Sequence, residues 1–352
     1  MGSIIRMGGS IPQVLDLNNA IINDFTIENT AEDITLGSPC TINGTLKFGP
    51  SSENLVLGDY DLNIGPKNTA GTTGTIDRTS PAAGWINATG LGKLVRNYSG
   101  DETNLDFPIG DQIYYTPVTV DVTSGTVATG KIATNVTNAA HPQLPPTATA
   151  YLTRYWDIST MDMGASFSAN ITATYNNAND RVLIGSYVYP SDIVGANHDG
   201  VSWDYTNGQN ISPDKIKGTI TGDRSFTGLN KPPFEWTGAI NTQWGNTGNW
   251  NSNSIPNINE EVLIPSGVPN YPHLGAGVLA IGSNPNNEVF ECQNLTIESG
   301  ASLVTLQNTK VENHGLIEVS GNMWIQNSAS DAFKNFSNST VIIKNAGILT
   351  FH

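Results

Sequence analysis

The chain is poor in charge, in basic residues and in cysteine. Of its 352 residues, 13% are charged, and 31 acids face only 16 bases, for a formal net charge of −15. That balance excludes a phosphate-neutralising basic face, and with it nucleic-acid binding, and it disfavours an anionic membrane surface. An acidic polar surface fits a soluble extracellular protein. No run approaches the ~20 consecutive apolar residues that a membrane span needs. Residues 1–10 carry one positive charge and no sustained apolar region, so they do not read as a signal peptide, and a chain trimmed or cut from a longer one is expected. The only cysteines are Cys40 and Cys292. Each stands in an equivalent strand-like word near one end of the sequence, and two separate buried thiols are expected. A disulfide is the alternative, through stacking of the two ends between molecules.

Recognisable catalytic and metal motifs are also missing. The five histidines, His141, His198, His273, His314 and His352, lie far from one another and from cysteine along the chain, which excludes zinc-ligand spacing. There is no nucleophile elbow, P-loop or dinucleotide fingerprint.

What is abundant is Gly (36 residues), with Thr, Asn and Ser. These are poor helix formers and good turn formers. Between them recur short words with apolar residues at i and i+2: Phe25/Ile27, Ile34/Leu36, Leu46/Phe48, Leu55/Leu57 and Leu62/Ile64. Similar words return around Leu295, Leu316 and Ile348. Strands this short bury little alone, but stacked as solenoid rungs they share one apolar column. Between the two repetitive blocks the pattern changes to longer alternation, as in Val118/Val120/Val122 and Phe167/Ala169/Ile171/Ala173/Tyr175. That suits a two-sheet sandwich of immunoglobulin-like type, with Ser124-Gly125 and Asn207-Gly208 as hairpin turns and Pro142, Pro145 and Pro146 in a loop.

The expected fold is therefore all-β, with solenoid-like segments flanking an immunoglobulin-like β-sandwich. The expected divisions are a flexible or strand-donating lead (1–15), a first solenoid-like domain (16–96), the sandwich (97–232) and a second solenoid-like domain (233–352), with a stiff linker at 230–237. The last strand word carries no polar cap, which suggests truncation or an end covered by another molecule.

Two groups of residues are candidates for ligand binding. Asp101, Glu102, Asp106 and Asp111 form the densest acidic cluster. A solvated loop is the plain reading, and a calcium ion clamping a domain junction is the sharper one. Trp236, Trp244 and Trp250 lie close together in a Gly/Asn-rich stretch. They either cap a solenoid or, if exposed, stack on sugar rings.

Three segments carry a resemblance. Residues 107–120 (Phe-Pro-Ile-Gly-Asp-Gln-Ile-Tyr-Tyr-Thr-Pro-Val-Thr-Val), Tyr151–Ile158 with Ala173–Asp180, and Trp236–Pro256 resemble repeat units of large surface proteins and adhesins secreted by gliding and related Gram-negative bacteria through the type IX route. The resemblance implies a cell-surface structural or adhesive role and supplies no catalytic residues. The expected function is thus a non-enzymatic repeat unit of an adhesin or filament, self-associating end to end and without a cofactor. A carbohydrate-binding module or, less favoured, a polysaccharide-active β-helix enzyme is the alternative.

Overall fold

The computed structural model describes residues 4–65, 74–98, 104–125, 130–146, 148–184, 193–257, 260–275, 289–306, 309–327, 329–344 and 346–352. The fold is all-β, with 52% strand, 1% helix and a strand-rich β-solenoid. The chain divides into two compact units, Met1–Lys231 and Pro232–His352.

The first unit opens as a three-faced parallel coil. One face stacks Ile4–Gly9, Asp24–Asn29, Thr45–Phe48 and Thr75–Asp77. The second stacks Gln13–Leu15, Ile34–Leu36, Leu55–Val56, Ile86–Asn87 and Ile109–Gly110. The third stacks Ile21–Ile22, Cys40–Ile42, Leu62–Ile64 and Leu94–Tyr98. All these neighbours are parallel. Ile4 pairs with Asp24, Phe25 with Leu46, and Gln13 with Ile34, so one turn of the coil takes 20 or 21 residues. The turn lengthens later, where Leu55 pairs with Ile86 and Leu62 with Leu94. Because every second residue points inward, register pairing stacks like on like. Ile34, Leu55, Ile86 and Ile109 form one buried column, and Cys40, Leu62 and Leu94 another. Residues 1–15, expected to be a lead, include the strands Ile4–Gly9 and Gln13–Leu15 of this coil's first turn.

The third face does not stop at Leu94–Tyr98. That strand pairs parallel with Leu62–Ile64 on one side and antiparallel with Gly130–Thr137 on the other. The sheet then runs on through Ala150–Met161, Arg224–Asn230, Ile193–His198 and Trp203–Asp204. A second antiparallel sheet is ordered Leu105–Phe107, Val118–Ser124, Ser168–Thr174, Lys215–Ile220, Gln209–Ser212. The two sheets face each other across a core that is continuous with the coil's apolar columns. Their close approach is set at Gly218, where a Cβ would sit 2.8 Å from the Phe226 ring.

In place of a free-standing sandwich, one antiparallel sheet is thus shared with the solenoid. The alternating words at Val118 and Ala169 form adjacent strands, with Val120 opposite Ile171. The two expected hairpin turns do something else. Ser124-Gly125 leaves a strand of one sheet for a strand of the other, and Asn207 (φ +54°) lies between Trp203–Asp204 and Gln209–Ser212, which also belong to different sheets.

The second unit is again a parallel stack. One sheet runs Phe234–Glu235, Glu261–Ile264, Val289–Ile297, Lys310–Val319, with Phe333–Asn335 and Thr340–Ile343 both on Lys310–Val319. The other runs His273–Leu274, Ser302–Thr305, Asn322–Ile325, Ile348–Phe351. Leu295 pairs with Ile317 and Leu303 with Met323, so this turn takes 20 to 22 residues, while the turn before it is longer, Val262 pairing with Leu295 and His273 with Val304. Phe234–Glu235, expected in a linker, is the first strand of this stack.

Candidate functional site

Among the described residues, each solenoid has one end covered by other elements and one end whose strands pair on a single side. In the first unit the far end is closed by the antiparallel sheets. At the near end, Ile4–Gly9, Gln13–Leu15 and Ile21–Ile22 pair only with the following turn among the described residues. Of this turn's inward side chains Leu15 and Ile22 are buried, whereas Ile5, Met7 and Leu17 pack on the core but remain only partly buried. Beside them Ile4, Ile11, Val14 and Ile21 are each more than 60% exposed. Such an edge offers free main-chain donors and acceptors together with an unfinished apolar column.

In the second unit the arrangement is reversed. The closed end is built from the three candidate tryptophans. Trp236, Trp244 and Trp250 are at most 2% exposed. Trp244 stacks on Trp236 at 6.1 Å between ring centroids, and Trp250 meets both edge-on at 4.6 and 5.1 Å. The Trp236 indole N–H donates to the Asn270 carbonyl (2.6 Å) and that of Trp250 to the Trp244 carbonyl (2.9 Å). Asn249, wholly buried, holds the loop that carries them. Its Oδ1 accepts from the Ile240 and Asn241 amides, and its Nδ2 donates to Asn241 Oδ1 and the Gln243 carbonyl. As placed, these rings cover the solenoid core and present no face to a sugar. The other end of the stack is Phe333–Asn335, Thr340–Ile343 and Ile348–Phe351, each paired, among the described residues, only with the preceding turn. Val341, Leu349 and Phe333 are partly buried against the core, and Ile343, Ile348 and Phe351 are about half exposed.

The acidic candidates do not converge. Asp101 and Glu102 lie outside the described residues. Asp106 is exposed and accepts from the Thr119 hydroxyl (3.0 Å). It borders a polar cleft of about 460 Å³ that also contains Arg78, Arg96 and Tyr115. Asp111 faces inward. Its Oδ1 accepts from the amides of Ile113 and Tyr114, each at 2.7 Å, and its Oδ2 accepts from Arg154 Nη2 at 2.7 Å. Burial pushes the Asp111 carboxyl up, but those two amides and the guanidinium outweigh it and hold it below the ordinary carboxylate range. Asp111 therefore serves a buried ion pair, not a cluster with Asp106.

Sequence reasoning missed Arg154 and Asp180. Arg154, fully buried, also donates from Nε to Asp180 Oδ2 at 2.8 Å and from Nη2 to Asp180 Oδ1 at 3.2 Å. The signal was present in another form: Asp111, Arg154 and Asp180 come one each from the segments 107–120, Tyr151–Ile158 and Ala173–Asp180 that carry the resemblance. Trp156 of the second segment donates from its indole to the Thr116 carbonyl of the first (3.1 Å). These motifs meet to fasten the coil's last turn to the antiparallel sheets.

Among the described residues no helix is long and apolar enough to cross a membrane. The chain matches no family model, no curated protein and no solved structure.

Proposed function

We propose that this protein is a non-catalytic structural or adhesive component of the cell exterior that works by adding turns to its solenoids end to end with further copies. The observation that carries this reading is the pair of one-sided turns. The first turn of one unit and the last turn of the other each expose a strand edge and a half-covered apolar column. Pairing such edges continues two interactions at once, the main-chain ladder and the column, as in strand addition. A contact between two different edges that does not close on itself gives a fibre. The acidic surface and the likeness of three motifs to repeat-containing bacterial surface proteins support the exterior location and the adhesive role.

The test is light scattering coupled to size exclusion over a wide concentration range, followed by electron microscopy. End-joined rods that lengthen with concentration are the expected result. Particles of one chain at every concentration would remove the proposal.

A further inference from the structure

A solenoid changes what ligand spacing means. Residues one turn apart in sequence are neighbours in space, so a metal site can be written with gaps of about 21 residues and escape any scan for closely spaced ligands. One such constellation stands on the outer face of the second unit. Glu291 and Glu312 are register partners on adjacent strands, and His314 follows Glu312 on the same face, because Asn313 between them points inward and is fully buried. His314 Nε2 lies 3.9 Å from Glu291 Oε1 and 3.8 Å from Glu312 Oε2. One ligand atom from each residue falls within 4.8 Å of the others.

Two features separate this group from an ordinary surface ion cluster. First, His314 Nε2 is shielded from solvent and has no hydrogen-bond partner. It is too far from either carboxylate for a hydrogen bond, yet it faces both. A buried polar atom left without a partner calls for a missing one. Second, the imidazole is held in place. Phe336 stacks on it at 4.2 Å with ring planes 19° apart, and Lys334, which lies over the Phe336 ring, stands 3.9 Å from Glu312 Oε1. Among the described residues the carboxylates gain only that one distant cation, while their in-register placement sets like charges side by side.

We propose that Glu291, Glu312 and His314 bind one divalent transition-metal ion of the zinc class. Imidazole nitrogen and carboxylate oxygen are ligands of that class, at about 2.0–2.2 Å, and three protein ligands leave a position for water. Bonds of that length bring ligand atoms to within about 3.4 Å of each other in a tetrahedron. The two His314 separations thus need a closure of about half an ångström, and the two carboxylates, within 4.8 Å, one of at most about 1.4 Å, which rotamer adjustment of three partly exposed side chains supplies. The ion would staple two consecutive turns of the coil and neutralise the glutamate pair.

The experiment is calorimetric titration of the metal-stripped full chain with ZnCl2, with the visible absorption of bound Co2+ as a second readout and thermal melting as a third. One ion per chain, a raised melting temperature and a Co2+ spectrum are expected. Glu312→Gln and His314→Gln keep side-chain size, and circular dichroism checks that each still folds. Each should weaken Zn2+ binding at least tenfold and erase the melting shift. Wild-type protein that takes up no ion, or folded variants that bind Zn2+ as tightly as the wild type, would overturn the site.

Discussion

Arg154 and Asp111, 43 residues apart in sequence, meet inside the first unit with Nη2 and Oδ2 at 2.7 Å. Both are buried, and the same guanidinium also grips Asp180. Such a group is weak evidence for net stability, because desolvation costs nearly as much as the attraction returns, but removing one member strands the others without a partner. Arg154→Met leaves two buried carboxylates without their cation. The expected loss is about 3–5 kcal/mol in urea unfolding at neutral pH. A loss below about 1 kcal/mol would show that the three segments are held together without the Arg154 ion pairs.

The pH dependence of this pair follows from the depressed Asp111 carboxyl. Its folded form holds the proton less tightly than the unfolded chain does. Its contribution is therefore present above the unfolded carboxylate value of about 3.9 and fades as pH falls through the lower folded one. Asp111→Asn should flatten the part of the acid-unfolding curve that lies below about pH 4. An unchanged acid limb would assign that stability to other carboxylates.

The tryptophan cap makes a separate prediction. Gly238 has φ +57°, and a Cβ there would lie 2.1 Å from the Asn270 carbonyl oxygen, so both conformation and space demand glycine. Gly238→Ala should loosen the loop. Trp244→Ala should cost about 3–5 kcal/mol through the cavity it leaves. In the native protein these tryptophans should resist acrylamide quenching, and glycans should not change their emission. Ready quenching of the cap, resolved by single-tryptophan variants, would contradict their burial.

Much of this architecture was written in short-range pattern. The i, i+2 apolar pairs from Phe25 to Ile64 are all buried, and all but Leu57 lie in strands, because a two-residue period has only one way to face a core. Long-range partners were not legible in the same way. Asn207 lies in a turn and Ser124-Gly125 ends a strand, but such a signal does not say whether the next strand returns to the same sheet or crosses to the other. Asp111 read as one acid among four because its cation, Arg154, is remote in sequence. Glu312 and His314 gave no metal signal because their third member is one solenoid turn away. The bare sequence does not state the length of that turn, since the words recur at irregular intervals.

Cys40 points inward on the third face in register with Leu62, and burial pushes its thiol up to about 11. It is free and buried, so it should not react with a disulfide probe at pH 8 until the chain unfolds. Because the folded thiol keeps its proton while an unfolded one ionises near 8.5, stability should fall as pH rises from about 8.5 towards 11. Cys40→Ala should remove that alkaline slope, at the cost of a small cavity. Rapid labelling of Cys40 in the native state would mean that the column opens locally.

The end-to-end reading can be separated from simple stability by charging the exposed turns. Leu349 points towards the apolar column but is only partly covered, and so is Met7 in the other unit. A lysine at either position can run its stem along the apolar surface and keep its ammonium in water as long as nothing covers the turn. Leu349→Lys and Met7→Lys should therefore shift single-chain stability by only about 0.5–1 kcal/mol. Once a further turn is laid over the same position, the ammonium becomes a buried, unpaired charge, which costs several kcal/mol. Each variant should thus abolish rods while leaving the melting curve nearly unchanged. The same variants assembling like the wild type would place the contact elsewhere on the surface, whatever the shape of the particles.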